Sequence, residues 1–406
     1  MERVDAVIVG GGQAGLAVSQ QLTRIGVEHV VLERGRIGQT WRDRWDSFCL
    51  VSPNWSVQLP DWPYDGDDPD GFMPRSEIVA YLEGYRAAFA LPVREGVAAL
   101  SIEADAGGFR VWTSAGELHA GALVLANGAF PRPHRPPGAE TLPPDLLQID
   151  VDDYRNAAAI PPGRILVVGS GQSGCQIAEE LLEEGREIVL SCGRAAWVPR
   201  RIGGRDIFHW LLDTGFMGAP VDSLPSPAAR LLAMPTATGH GGGHDLDLRI
   251  LRAKGVVLVG HFLGASDGEV RFADDLAESV AWGDERNREL MGLVRRTAAE
   301  AGYPVDDIRE PEPFDPVAPE RVSLAGFGAV LHAGGFRPDY RSWLPWPDAF
   351  DEWGFPIQKD GASTVVDGLY FLGVHFLRRR CSSLLYGVGE DAAIVAQAIV
   401  ARRSAT

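Results

Sequence analysis

Two segments of the 406-residue chain share one grammar: a β-branched apolar run, a glycine cluster, then a helix with small residues in its first turns. A proline-rich stretch stands after each. Together these observations predict an α/β protein of two Rossmann-like dinucleotide-binding domains, the second inserted into a discontinuous first. The first segment runs Asp5–Val9, GGGQAG and Leu16–Arg24, followed by the strand HVVLE; the second runs Ile165–Val168, GSGQSG and Cys175–Glu184, followed by EIVLS. Strands alternating with helices call for parallel sheets covered on both faces. The stretches PRPHRPPGAETLPP (131–144) and REPEPFDPVAP (309–319) are too rich in proline for helices or central strands and read as the crossings between domains. Beyond the second, VLHAGG (330–335) echoes LVLANG (123–128), and a strand GLYFLGV and a closing helix from about Glu390 complete the chain. The expected layout is 1–150 with 320–406 as one domain and 151–319 as the other.

Composition narrows the function. The chain has 38 Lys+Arg against 55 Asp+Glu, a net charge of −17, so a basic surface tracking nucleic acid is excluded, while 45% apolar residues fill two cores. Cys49, Cys175, Cys192 and Cys381 show no CxxC spacing, which argues against a disulfide scaffold, a zinc ribbon or a redox dithiol and fits a reducing compartment. The start at Met1 carries no charged leader, and no apolar run reaches the ~18 residues of a membrane span, so the expectation is a cytoplasmic protein without a membrane partner. His240 and His244 in TGHGGGHD are not read as metal ligands, because a glycine-filled loop has no register to aim both rings.

The glycines carry the chemistry. Gly10-x-Gly12-x-x-Gly15 follows a strand, opens a helix, and is trailed by Glu33 at the end of the next strand. Gly10 permits the turn, Gly12 makes room for a pyrophosphate, Gly15 lets helix and strand pack, and Glu33 takes a ribose hydroxyl. The second loop, Gly169-x-Gly171-x-x-Gly174, is placed alike, but its next strand ends in LSCGR, with Arg194 where an acid would stand. A guanidinium grips a 2′-phosphate that a carboxylate would repel, so the second nucleotide is expected to be NADPH, with Arg200 and Arg201 adding to the grip.

The motifs GGGQAGL, GQTWR, LVLANG, GSGQSGCQIAEEL, VLHAGGFRPDYRSWL and GLYFLGVHFLRRRCSSLLYGVGEDAA, in this order, resemble the flavin-containing monooxygenase-like family, the class B flavoprotein monooxygenases, and their bacterial FAD/NAD(P)-dependent oxidoreductase branch. That resemblance implies FAD in the first domain and NADPH in the inserted one. It assigns Gly10, Gly12, Gln13, Ala14, Gly15, Glu33 and Arg34 to FAD, with Gln39, Thr40 and Trp41 of GQTWR and Ser52 near the flavin. Ala126, Asn127 and Gly128, and Gly334 and Gly335, match two strand-end turns of the FAD domain. Leu385 lies in the last motif, where a helix N-terminus points at the flavin and its dipole stabilises negative charge on the reduced ring. Gly169, Gly171, Gln172, Ser173 and Gly174 go to NADPH. One departure stands out: where many members carry the linker signature FxGxxxHxxx(Y/W), this chain has LLQIDVDDYRN, keeping Tyr154 and placing Asp150 at the histidine.

The implied chemistry is hydride transfer from NADPH to FAD and, through a C4a-(hydro)peroxyflavin, oxygenation of a small organic substrate by O2. Asn54, in FCLVSPNWSVQLPDWPY, is the expected amide donor, and Arg205 with Asp206 the nicotinamide-side pair. Trp55, Trp62, Tyr64, Phe72, His209 and Trp210 are candidates to roof a pocket, most of them expected in the core. Two other readings stay open: an NADPH-dependent flavin reductase or oxidase without oxygen insertion, and a non-catalytic FAD/NADPH-sensing regulator. A homodimer is compatible with either.

Overall fold

The first apolar run has no polar side: Ala6, Val7 and Ile8 are wholly buried, so the strand containing them must be covered above and below. It forms β1 (Glu2–Val9) of the computed structural model, which describes residues 2–128, 131–232 and 234–405. The chain continues with β2 (His29–Glu33), β3 (Val93–Glu95), β4 (Ala99–Asp105), β5 (Gly108–Thr113) and β6 (Gly116–Leu125). It then enters a second sheet through β7 (Leu147–Asp150), β8 (Arg164–Val168), β9 (Ile188–Ser191), β10 (Val257–Val259) and β11 (Phe327–His332). It returns to the first with β12 (Gln358–Lys359), β13 (Ala362–Ser363) and β14 (Leu369–Phe371). The helices that matter are α1 (Gln13–Arg24), α2 (Arg75–Ala88), α3 (Gln172–Glu183), α4 (Ile207–Asp213), α5 (Leu276–Ala301) and α6 (Val388–Ala405).

The first sheet has the order β12-β13-β14-β6-β1-β2-β3, and the hairpin β4–β5 joins it antiparallel to the first half of β6. β1 lies parallel to both β2 and β6, so the C-terminal ends of all three meet at one edge, where α1 begins and packs against α6. The second sheet, β7-β11-β8-β9-β10, is parallel throughout and repeats this arrangement around α3.

Sheet membership moves the domain borders. Both β7 and β11 belong to the second sheet, so 147–150 and 327–332 lie with the inserted domain rather than with 1–150 and 320–406. The outgoing and returning chains run side by side where Arg132–Pro133 pairs antiparallel with Phe336–Arg337. Segment 131–144 is thus a true crossing, but 309–319 is not. The latter is an extended strap on the second domain: Phe314 and Ala318 pack on its core, and the Glu312 carbonyl accepts from Arg249 Nη2 (2.6 Å). Proline keeps both stretches out of α-helices and central strands alike, and only the tertiary pairing tells strap from hinge. No helix among the described residues is long and apolar enough to cross a membrane.

Candidate active site

The first cradle is built by close backbone approach. Gly10 has φ +111°, and a Cβ there would lie 2.4 Å from the Ala126 carbonyl oxygen; a Cβ on Gly15 would lie 1.9 Å from Gly10 O. Packing demands both glycines. At Gly12 an added Cβ would meet nothing within 4 Å, so the missing side chain there keeps space open. Gly12 is also the N-cap of α1 and offers no side chain to it, leaving the first N–H groups of the helix for an anion. Glu33 accepts from Gly11 N–H (2.7 Å) and Gly35 N–H (2.8 Å), tying the glycine loop to the turn after β2 with lone pairs to spare.

Around it, Trp41 Nε1 donates to Gln13 Oε1 (3.1 Å), Gln13 Nε2 donates to Ser383 O (3.2 Å), and Ala14 is buried beside Gly373. Asn127 Oδ1 is buried without a partner among the described residues, and Gly128, at φ +100°, faces open space. An orphaned acceptor beside an uncapped helix and two open glycines fits a bound dinucleotide. Leu385 is buried just ahead of α6. Ser52 is half-buried, and Arg34 and Thr40 are exposed. Gln39 turns back on its own turn, accepting from Arg36 N–H (3.1 Å) and donating to Asp43 (3.0 Å).

The second cradle repeats the first. A Cβ on Gly169 (φ +113°) would lie 2.4 Å from Ala333 O, one on Gly174 would lie 1.9 Å from Gly169 O, and Gly171 is the side-chain-free N-cap of α3. Ala333 and Gly334 therefore do for this loop what Ala126 and Asn127 do for the first. Gly334 and Gly335 belong to this cradle and not to the flavin domain, because their strand is β11 of the second sheet. Gln172 pins the segment beside it, accepting from Ala237 N–H (3.1 Å) and donating to Ala237 O. Ser173 is half-buried in the first turn of α3. In the loop after β9, Arg194 is exposed and has no hydrogen bond or ion pair among the described residues. His261, without a motif in the sequence, comes within 3.1 Å of where a Gly193 Cβ would stand.

Several expected ligand contacts have other duties. Arg200 is 2% exposed, with Nε on Asp206 Oδ2 (2.7 Å), Nη1 on Val51 O (2.7 Å), its backbone N–H on Asp245 (2.6 Å), and its guanidinium 4.4 Å from the centre of the Phe72 ring. A guanidinium so buried needs its charge matched on the spot, and this one clamps the two domains instead of waiting for a phosphate. Arg201 donates to the carbonyls of Gly243 (2.8 Å) and Gly242 (3.0 Å). Arg205 pairs with Asp213 (2.9 Å) and lies over the Trp210 and Tyr303 rings, at 4.7 and 4.8 Å, while Asp206 also caps α4 at Phe208 N–H (2.8 Å).

Asn54 staples its loop: its oxygen accepts from Met73 N–H (2.7 Å) and Nδ2 donates to Asp68 O (2.9 Å). Asp150 receives both arms of Arg135 (2.8 and 2.9 Å), and the Tyr154 hydroxyl donates to Glu180 (2.8 Å). His240 and His244 face Glu183 (3.1 Å) and Glu179 (2.9 Å).

Of the expected pocket aromatics, the structure brings together Trp55 and His209, stacked at 4.2 Å and 16°, with Phe208 edge-on to Tyr386 behind them. Trp62 packs with Tyr85 and Phe89, Phe72 lies under Arg200, and Trp210 is wholly buried, donating to Ile202 O (3.0 Å). Burial lowers the His209 pKa, helped by nearby Arg205, and favours the neutral ring. Three residues escaped the sequence reading: Arg230, His375 and Arg380. Burial, reinforced by the two arginines, drops His375 to about 4, and burial takes Arg380 to about 10. The run RRR at 378–380 signalled Arg380, and nothing in the sequence signalled the other two. Burial pushes the thiols of Cys49 and Cys175 up to about 11 and about 12, away from thiolate chemistry.

Two dinucleotide cradles on linked α/β domains, one ending in an acid and one in a free guanidinium, define a two-nucleotide oxidoreductase. Residues 7–202 match the family model described as pyridine nucleotide-disulphide oxidoreductase. Over 395 residues, 96% of each chain, the protein is 31% identical to an uncharacterized oxidoreductase, CzcO-like, of Geobacillus kaustophilus. It is 32% identical over 211 residues to the indole-3-pyruvate monooxygenase YUCCA1 of Oryza sativa subsp. japonica, covering 50% of this chain and 51% of that one. A flavin-containing monooxygenase from Stenotrophomonas maltophilia shares the fold, with a TM-score of 0.70, 22% identity and 99% of each chain covered. The chain belongs to the CzcO-like oxidoreductases and is, with them, flavin-monooxygenase-like.

Proposed function

We propose that the protein is an NADPH-dependent FAD monooxygenase that inserts one atom of O2 into a small organic substrate, the other leaving as water while NADPH supplies the two electrons. The observation that carries the reading is the contrast between the matching loops: Glu33 ties the first cradle, whereas Arg194, without a partner among the described residues, stands beside the second. An acid takes ribose hydroxyls and a free guanidinium takes a phosphate monoester, so two unlike dinucleotides are called for. In the first cradle, Gly12, the first turn of α1, Asn127 and Glu33 would hold FAD; in the second, Gly171, the first turn of α3 and Arg194 would hold NADPH. Bound FAD supplies the redox chemistry with oxygen that no side chain has. The chain adds orientation and exclusion of water: Gln13 bridges Trp41 to Ser383, and the Trp55–His209 stack with Phe208 and Tyr386 makes an aromatic wall.

Adding oxygen to NADPH-reduced protein tests the proposal. A transient absorbing species, distinct from both oxidised and reduced flavin and discharged faster by substrate, is expected; direct reoxidation without it sinks the oxygenase reading. Direct reoxidation is the outcome for the second reading, a reductase or oxidase without insertion. That reading is favoured by Asp150, which stands at the aligned linker-histidine position and is locked by Arg135.

A further inference from the structure

The three consecutive arginines after β14 are unequally matched. Arg378 meets Asp360 (3.1 Å), Glu390 (3.3 Å) and Asp391 (3.0 Å), and Arg379 meets Glu390 (2.9 Å). Arg380 faces no carboxylate among the described residues, although the chain carries 55 acids. Its Nε donates to Phe216 O (3.1 Å) and Nη1 points at Met234 Sδ (3.9 Å), which leaves three of five N–H groups uncommitted. The rings of Phe216 and Phe376 lie on it at 3.9 and 4.8 Å. Phe376 holds φ +52°, a left-handed conformation that a bulky residue adopts only when its surroundings impose it. Arg230 is a second half-buried guanidinium that acts on His375; its Nε has no partner among the described residues, and Asp351 and Asp222 supply the negative charge near it. His375, which feels the charge of both arginines, is neutral at ordinary pH and offers no negative charge. A partly buried cation without a counter-ion is costly unless an anion arrives, and Arg380 is such a cation.

The place is also telling. Residues 217–221 of the inserted domain are laced to 378–381 of the first by Val221 N–H to Arg378 O (2.8 Å), Arg380 N–H to Ala219 O (3.0 Å) and Cys381 N–H to Met217 O (3.1 Å). Three residues beyond Arg380, Ser383 holds Gln13 of the first cradle. Phe216 and Met234 join the same apolar cluster as Trp55 and Tyr386. We infer that Arg380, backed by Arg230, is the subsite for the anionic group of an organic carboxylate substrate, whose apolar part lies along this cluster. The inference rests on the proposed reading of the protein as a monooxygenase of a small organic substrate. The Phe216 and Phe376 rings pack on the guanidinium, and its uncommitted N–H groups offer a fork that matches a planar carboxylate.

Calorimetric titration of the FAD-loaded full chain with phenylacetate and with phenylacetamide, alike in shape and different in charge, tests it. The acid is expected to bind about ten- to a hundredfold tighter than the amide. Arg380→Met abolishes the preference, Arg380→Lys keeps part of it, and Arg230→Met reduces it by a smaller factor. Equal binding of acid and amide, binding of neither, or a loss in Arg380→Met that strikes both alike overturns the inference. If Arg380→Met fails to retain FAD, Arg380→Lys and Arg230→Met carry the comparison. Calorimetry uses neither NADPH nor O2, so the two ideas fail separately: charge preference without oxygenation leaves the subsite standing and sinks the activity, and oxygenation without charge preference does the reverse.

Discussion

Arg200→Met removes the cation that joins the domains and leaves Asp206 buried, 10% exposed, with only the Phe208 N–H for company. Removing one partner of such a pair costs about 3–5 kcal/mol, most of it the penalty of the stranded charge. The Val51 carbonyl also loses a donor, while methionine retains much of the contact with Phe72. At about 2–4 °C per kcal/mol for a domain of about 150–250 residues, the melting temperature falls by on the order of 10 °C. The double variant Arg200→Met/Asp206→Asn removes the stranded charge and keeps a good N-cap on α4, so it recovers more than half of the loss. Scanning calorimetry of the FAD-loaded protein gives both numbers, and the KM values for NADPH and NADH give a third. The reasoning is refuted if the single variant melts within about 2 °C of the parent, or if it raises the KM for NADPH selectively, which would return Arg200 to the role of phosphate ligand.

Gly12→Ala should fold normally yet lose FAD, since its Cβ enters open space, whereas Gly15→Ala should fail to fold because its Cβ would stand 1.9 Å from a carbonyl oxygen; flavin content and circular dichroism separate the two. Arg194→Ala should raise the KM for NADPH about ten- to a hundredfold and leave that for NADH nearly unchanged, and equal effects on both would remove the case for phosphate recognition. Burial, with Arg380 and Arg230 nearby, puts the folded-state pKa of His375 at about 4, below the ordinary 6.5, so protonation favours the unfolded chain. Its contribution is flat above about pH 6.5 and erodes as pH falls toward 4, by up to about 3 kcal/mol. Urea unfolding across that range should show a shallower loss in His375→Gln, and parallel curves for variant and parent would exclude the effect. His332, lowered to about 4 by burial and Arg135, adds loss of the same sign in both proteins.

Both glycine loops were legible because their geometry is local: strand, turn and helix lie within a dozen residues, and the residue types follow from φ and from close backbone approach. The place of Glu33 at the end of β2, against the glycine loop, was legible for the same reason. Arg194 was legible as a residue, though its freedom was not, since it differs from Arg200 and Arg201 only in having no acid or carbonyl folded against it. Asn54 and Arg205 read as chemistry and turned out to be engaged, the first by backbone groups 14 and 19 residues away and the second by Asp213. Arg380 went unread because its meaning lies in what is absent around it.

The sequence by itself determined the two nucleotide cradles and their order along the chain, which depend on neighbours in the chain, and the acidic composition of the whole. The tertiary structure alone decided that VLHAGG serves the second cradle, that 309–319 is a strap, and which of several arginines is clamped, capped or left without a counter-ion. A charge is defined by every group that folding brings near it, and those groups come from distant parts of the chain.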